Sequence, residues 1–165
     1  MRNTVFLLVL VLGFTLPLGG VAEGYYTYAM TGQLRETLES NPLDRDYKRD
    51  MLNPENGTTY GMADVNKKYI KLWDRELNVI YQKLLLKLND EEKELLIEAQ
   101  VGWLQYHENE QRLTSKALSK NSGTIFIVQQ GSAYRYRLRE RTLQLMAYYH
   151  RLGGEVEFEY KGNAE

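Results

Sequence analysis

The chain has 165 residues, of which 21 are Lys or Arg and 22 are Asp or Glu, so its net charge is −1. This balance argues against nucleic acid as a partner, because phosphate binding requires a strong positive excess. The lack of cysteine excludes disulfides, zinc–thiolate sites and thiol chemistry, so packing alone has to hold the core.

The first 22 residues predict a secretory signal peptide. Arg2 gives a short positive region, Val5 to Leu18 is largely apolar, and Gly20-Val21-Ala22 supplies small residues at which a signal peptidase cuts. A membrane anchor is the alternative, but the apolar run is shorter than the roughly 20 residues that span a bilayer. We therefore expect cleavage near Ala22, no stable membrane anchor, and a secreted protein that is periplasmic in a cell with two membranes.

The region 23–57 predicts an N-terminal arm that is helical or irregular. Thr31 can cap a helix over Gln33–Glu39, and Asn41-Pro42 provides the cap and first-turn proline of a second helix. Asn53-Pro54 ends the second helix, and residues 55–57 predict a turn. The arm is either a docked pair of short helices or a loose leader.

A first long helix follows, capped by Thr58 or Thr59. Its apolar residues recur at steps of three and four, which is typical of a helix with one buried face. They are Met62, Val65, Tyr69, Trp73, Leu77, Ile80, Leu84 and Leu88. Asn89-Asp90 ends this helix and caps the next.

The second long helix begins with acidic residues, which the helix dipole favours at that end. Its predicted inner face is formed by Leu96, Ala99, Trp103, Tyr106, Leu113 and Ala117. Asn121-Ser122-Gly123 breaks this helix, and a third runs from about Thr124 to Leu152. The residues predicted to face inward there are Ile125, Val128, Ser132, Leu138, Leu145 and Tyr149.

The predicted fold is all-α, because short connections make neighbouring long helices antiparallel. An antiparallel bundle of three long helices occupies 58–152, preceded by the arm and followed by a tail over 153–165. In the tail, Glu155, Glu157 and Glu159 alternate with apolar residues, a pattern that fits an edge strand or a docked apolar face. We predict a flexible tail, since no second strand is evident.

Polar and aromatic residues occur in a fixed order along the three long helices. In chain order they are Trp73, Asp74, Leu77, Asn78, Tyr81, Ala99, Gln100, Trp103, Tyr106, Arg141, Thr142 and Leu145, with Ser122-Gly123 in the last turn between helices. This ordered set resembles the LprI-type lysozyme inhibitor family over about 62–148. The resemblance implies a small secreted helical protein in which these positions serve structure or binding.

Two departures from the family pattern mark this chain as similar to a divergent, cysteine-free member. The family usually has Arg-Asp where this chain has His107-Glu108, and cysteines where it has Val65, Gln111 and Ala133. The resemblance implies that Gln111 and Ala133 stand where a disulfide can join the second and third helices. Loss of such a bond typically costs about 2–5 kcal/mol, which aromatic packing can partly offset.

The family positions have structural as well as binding interpretations. Asp74, Asn78 and Gln100 can form a binding surface, or they can cap and cross-link the helices, which we favour because buried polar groups need partners. Trp73 and Trp103 can line a ligand groove, but inward-facing tryptophans more often belong to the core.

The charged residues predict neither a metal site nor a single basic patch. His107 has metal-ligand spacing to Glu110, but a lone histidine without a second cluster predicts a polar structural contact and no metal or cofactor. Four arginines are spread over two faces of the third helix and are Arg135, Arg137, Arg139 and Arg141. We expect the first three to pair with the acidic second helix or to be solvated, and Arg141 to occupy the family position.

We predict that the protein is not an enzyme, because no nucleophile with a base and no pair of carboxylates in a cleft is evident. The resemblance implies a periplasmic binding protein whose protein partner is lysozyme or a similar cell-wall hydrolase, blocked by occlusion of its cleft. The candidate partner contacts are Lys120 and the tail acids Glu155, Glu157 and Glu159. The alternative is an envelope interaction or immunity protein with a partner other than lysozyme.

Overall fold

The computed structural model describes residues 32–117, 119 and 123–162. Two short helices, α1 (Gln33–Glu39) and α2 (Pro42–Leu52), and a 3-10 helix (Pro54–Asn56) precede three long ones. These are α3 (Thr59–Leu85), α4 (Asp90–Ala117) and α5 (Ile125–Arg151). The described residues form no strand, which confirms the all-α prediction. None of the described helices combines the length and the apolar character needed to cross a bilayer.

The N-terminal arm is a docked pair of helices. Asn41 caps α2 as predicted, with its Oδ1 accepting the backbone N–H of Asp44 at 2.8 Å, and Pro42 lies in the first turn. Leu43, from the same turn, is fully buried in the core and fixes the arm against the long helices. Thr31, the predicted cap of α1, lies outside the described residues.

α3 carries the central apolar face of the protein. Thr58 is its cap, since the Thr58 Oγ1 accepts the backbone N–H of Gly61 at 3.0 Å. Most of the predicted inner residues of this helix are buried, namely Val65, Tyr69, Trp73, Leu77, Ile80 and Leu84. The apolar period of the sequence therefore identified this face correctly.

α5 packs along α3, and the two helices run parallel. The Asn66 Nδ2 donates to the Val128 carbonyl oxygen at 3.1 Å near one end, and the Lys87 Nζ lies 5.8 Å from the centre of the Tyr149 ring near the other. Gly131 allows this approach, because a Cβ there would lie 3.0 Å from the Cβ of Asn66. The buried apolar residues of α5 are Val128, Leu138, Leu143, Leu145, Met146 and Ala147.

α4 runs antiparallel to α5 but is much less buried. Gln100 lies opposite Arg141 and Ser115 lies opposite Gln130, each pair joined by a hydrogen bond. Asn89 caps α4 as predicted, accepting a backbone N–H of its first turn. Only two described residues of α4 are buried. The predicted antiparallel bundle of three long helices is therefore not confirmed: α3 and α5 form the packed pair, and α4 packs on them with only two buried residues.

The predicted inner face of α4 is wrong at four positions. Ala99, Tyr106, Leu113 and Ala117 are exposed, whereas His107, predicted only as a polar contact, is buried. The reason is that α4 meets α5 largely through polar side chains. The spacing of apolar residues predicts only apolar contacts, so it did not identify the face of α4 that contacts α5.

The C-terminal tail is docked over residues 156–160, whereas the sequence predicted a flexible tail. Phe158 is buried, with its ring centre 6.2 Å from that of Trp73 in an edge-to-face arrangement. The backbone N–H groups of Glu159 and Tyr160 donate to the two carboxylate oxygens of Glu76, at 3.1 and 2.7 Å. The prediction missed this docking because the partner of the tail is a buried carboxylate of a helix and not a second strand.

A second buried carboxylate holds the end of the tail. The Tyr160 hydroxyl donates to the Asp46 Oδ2 at 2.9 Å, and Asp46 also pairs with Arg49 at 3.1 Å. The tail thereby ties α2 to α3. Residues 163–165 lie outside the described part of the chain.

Candidate functional site

A cleft of about 300 Å³ opens between α3 and α4, with α5 forming its floor. Its lining residues are Asp74, Leu77, Asn78, Tyr81, Ile97, Gln100, Val101, Trp103, Leu104, His107, Tyr134 and Leu138. Seven of these twelve residues belong to the set that the sequence analysis singled out. Two wider depressions, of about 480 and 540 Å³, lie beside the tail and near the C-terminal end of α4.

The α3 wall of the cleft is polar. Asp74 and Asn78 are exposed and lie one helical turn apart, and the Asn78 Nδ2 donates to the Asp74 carbonyl oxygen at 2.8 Å. Leu77 is buried beneath them, and Tyr81 is half-buried. The Asp74 carboxylate forms no ion pair with any described residue, so its charge stands free at the rim of the cleft.

The α4 wall of the cleft is apolar and open to solvent. Ile97, Val101 and Leu104 are 46%, 48% and 44% exposed. Their spacing of four and three residues places them on one side of the helix. Glu108 follows one turn after Leu104 and is also exposed. The wall therefore presents a row of aliphatic side chains that ends in a carboxylate.

The floor of the cleft contains an aromatic stack. The His107 ring lies 4.9 Å from the Trp103 ring, nearly parallel to it, and 4.1 Å from the Tyr134 ring in an edge arrangement. The His107 Nδ1 accepts a hydrogen bond from the Arg137 Nε at 3.3 Å. Burial, followed by the nearby Arg137 charge, lowers the pKa of His107 to about 4. The imidazole is therefore neutral at neutral pH, with its proton on Nε2.

Two carboxylates influence the Tyr134 hydroxyl. Burial is the main cause that raises the pKa of Tyr134. The negative charge of Asp74 raises this pKa further, the positive charge of Arg137 lowers it, and Glu108 adds a smaller rise. The phenol therefore remains a protonated donor at neutral pH. Asp74 and Glu108 thus place two negative charges, and Arg137 one positive charge, around this hydroxyl.

Gln100 connects the cleft to a buried guanidinium. The Arg141 Nε donates to the Gln100 Oε1 at 2.9 Å, and its other arm donates to the Gln144 Oε1 at 2.8 Å. Arg141 is 8% exposed and forms no ion pair with a described carboxylate. Burial lowers its pKa. The contact places the Gln100 amide as a cross-link between α4 and α5.

The other arginines of α5 have partners that the sequence did not predict. Arg139 and Arg135 lie 2.6 and 3.7 Å from the carboxylate of Asp44 in α2, not from an acid of the second long helix. Arg137 does reach α4, where it donates to the Gln111 Oε1 at 3.1 Å as well as to His107. Arg137 thus joins the helices at a position where the family resemblance implies a disulfide.

The other predicted family positions lie away from the cleft. Trp73 is fully buried against the tail. Thr142 is also buried and donates to the Leu138 carbonyl oxygen at 2.8 Å within α5. Tyr106 is exposed on the other flank of α4, and Arg141 lies behind Gln100.

The predicted partner contacts are not part of the cleft. Lys120 lies outside the described residues. Glu157 and Glu159 lie 3.7 and 3.6 Å from the ammonium groups of Lys161 and Lys83. Glu155 is exposed beside the end of α5.

Sequence reasoning missed four lining residues of the cleft: Ile97, Val101, Leu104 and Tyr134. The first three carry a signal, because they repeat at helical spacing on a side of α4 that does not belong to its predicted inner face. No sequence pattern predicts Tyr134 as a lining residue, because its position in the cleft depends on how α4 packs on α5. No group of three or more His, Cys, Asp and Glu that could hold a metal occurs in the described part of the chain.

Comparison with known proteins returns one family. The family model described as lysozyme inhibitor LprI matches residues 52–145, more than half of the chain and a range that contains every lining residue of the cleft. No curated protein and no solved structure matches the chain.

Proposed function

This chain belongs to the LprI family of lysozyme inhibitors, and on that premise we propose that it binds and inhibits a lysozyme-type cell-wall hydrolase. The family is one of inhibitors and not of catalysts, so the proposed function requires a protein partner and no reaction catalysed by this chain.

The observation that carries this proposal is that family positions from two helices meet at one open cleft. Asp74 and Asn78 of α3 face Gln100 and Trp103 of α4, although the two pairs lie more than 20 positions apart in the chain. Beside them runs an exposed aliphatic wall. Polar groups around an accessible apolar patch are characteristic of protein–protein interfaces.

Secretion to the periplasm is part of the proposal. It is supported by the signal-peptide pattern of residues 1–22, which lie outside the described part of the chain. It is also required by the target, because a cell-wall hydrolase acts outside the cytoplasm.

Occlusion of the enzyme's active cleft is the proposed mode of inhibition. Lysozyme holds two carboxylates in that cleft, so a cation placed between them would block the substrate. Lys120 is the candidate for this contact. The tail acids are candidates for electrostatic attraction of a basic enzyme, and Glu155 is the most available, because Glu157 and Glu159 each lie near a lysine.

The direct test measures lysozyme activity on bacterial cell walls while the protein is titrated in. The full chain would be expressed with its own leader and purified from the periplasm, where its mass reports whether cleavage follows Ala22. We expect stoichiometric loss of activity. Full activity of several lysozyme types at micromolar protein, with circular dichroism showing a folded helical chain, would contradict the proposal.

The contact assignments have their own test. Lys120→Ala is expected to weaken inhibition at least about tenfold, the usual loss for a central contact. Glu155→Gln is expected to slow association and to reduce its dependence on salt. Unchanged inhibition by both variants would remove these residues from the interface and leave the inhibitor assignment intact.

A second candidate function is an envelope interaction or immunity protein with a partner other than lysozyme. The replaced family positions favour it, since His107-Glu108 stands for Arg-Asp, and Gln111 and Ala133 stand for cysteines. Neutralisation of a toxin encoded beside this protein, with no effect on any lysozyme, would select this candidate.

A further inference from the structure

We propose that the cleft between α3 and α4 is the surface that holds the hydrolase, and that it receives a cationic side chain flanked by apolar residues of that enzyme. This inference rests on the proposed function and adds to it the contact surface and the chemistry of the partner.

The α4 wall of the cleft offers an exposed apolar surface to a partner. Ile97, Val101 and Leu104 form one row, and each is close to half exposed. A row of aliphatic side chains left in water costs free energy that a partner recovers by covering it. Since α4 is held to α5 by its other face, this row is available without any rearrangement of the fold.

Unpaired carboxylates lie at and beside the rim of the cleft. Asp74 and Glu108 form no ion pair with any described residue, and both lie close enough to Tyr134 to influence it. From Asp90 to Glu110 the chain carries seven acidic residues and one lysine. A cation entering the cleft would therefore meet carboxylates at its rim and the Trp103 ring on its wall. The Tyr134 ring is already approached by the Arg137 guanidinium, whose carbon lies 5.9 Å from the ring centre.

The same charge argues against a second copy of this chain as the occupant. A symmetric dimer through this face would bring two copies of the acidic α4 together, and like charges across an interface disfavour association. A basic enzyme surface has the opposite sign. The charge of the cleft thus selects the hydrolase over self-association.

The apolar contact is tested with Val101→Glu, which puts a carboxylate into the row. Leu113→Glu is the matched control, since Leu113 is 59% exposed on another flank of α4, away from the cleft. Binding is measured by calorimetry against a lysozyme that the wild-type protein inhibits. We expect Kd to rise at least about tenfold for Val101→Glu and less than about twofold for Leu113→Glu.

The charge contact is tested with Asp74→Asn, and Asp64→Asn, an exposed acid of the same helix outside the cleft, is its control. We expect Asp74→Asn to slow association and to weaken its salt dependence, with no change for Asp64→Asn. Circular dichroism of each variant confirms that it is folded.

The outcomes separate this inference from the proposed function. If the wild-type protein inhibits and both cleft variants bind as tightly as it does, the cleft is not the contact surface, although the inhibitor assignment stands. If the wild-type protein neither binds nor inhibits any lysozyme, the proposed function fails and the inference fails with it. If sedimentation shows a dimer that Val101→Glu dissociates, the occupant is a second copy and the inference is overturned.

Discussion

At the residue scale, His107 is confined on three sides by other side chains. Trp103 and Tyr134 enclose its ring, and Arg137 donates to its Nδ1. The family resemblance places His107 where an arginine is usual. In this chain Arg137, from the neighbouring helix, donates to the imidazole, which serves as its acceptor.

We predict that His107 makes the stability of the protein sensitive to mild acid. Its pKa is lowered from 6.5 to about 4 in the folded state, so the unfolded chain binds more protons between these values. The stability that depends on the neutral His107 ring is fully present above pH 6.5 and is lost as the pH falls toward 4. Urea unfolding of the wild-type protein should therefore lose about 2 kcal/mol more between pH 7.5 and 5 than unfolding of His107→Gln.

The control for this experiment is His150→Gln, which removes the exposed histidine at the end of α5. It should keep the pH dependence of the wild-type protein. An identical loss of stability in the wild-type protein and in His107→Gln would show that the ring is protonated in the folded state.

At the element scale, α3 and α4 show why one helix was predicted well and the other was not. α3 meets its neighbours through apolar side chains, and their period in the sequence gives the buried face directly. α4 is held through Gln100, Ser115 and the Arg137 contacts, all polar. Polar residues occur on exposed faces as well, so the sequence did not distinguish the contact face from the solvent face.

We predict that α4 opens more readily than α3 and α5. It has two buried residues, whereas eight are buried in α3, and local stability follows buried contact. Native-state hydrogen exchange should give α4 amides an opening free energy at least about 1 kcal/mol below that of amides near Tyr69 to Leu77 in α3. Equal protection of both helices would contradict this. Binding of the hydrolase at the cleft would slow exchange in α4.

We predict that the docked C-terminal tail contributes to the stability of the fold. Phe158→Ala should lower the free energy of unfolding by about 3 kcal/mol, because a buried ring against Trp73 is lost. Glu157→Ala, at the exposed neighbouring position, should change it by less than about 0.5 kcal/mol. Urea titrations at neutral pH measure both, and a small loss for Phe158→Ala would mean that the tail contributes little to stability.

At the scale of the whole molecule, the sequence predicted the helices, their order and the caps of α2, α3 and α4, but not how the three long helices pack. Periodicity predicts which side of α3 is buried, while the cleft depends on where α4 comes to rest relative to two other helices. Asp74 and Trp103 were recognised as members of one set. The burial of Trp73 in the core was predicted by the period of α3, whereas the position of Asp74 at an open rim follows from where α4 packs.

The docked tail has a consequence for the timing of folding. Tyr160 binds Asp46 from 114 positions away, and Glu76 is satisfied by backbone groups of the last described segment. Contacts of such sequence separation form late, because a long loop must close first. In a chain that folds as it is synthesised, α2 and α3 lack the contacts of the tail until Phe158 and Tyr160 are available. A chain truncated before Phe158 should therefore be cleaved rapidly by added protease, and the full chain slowly.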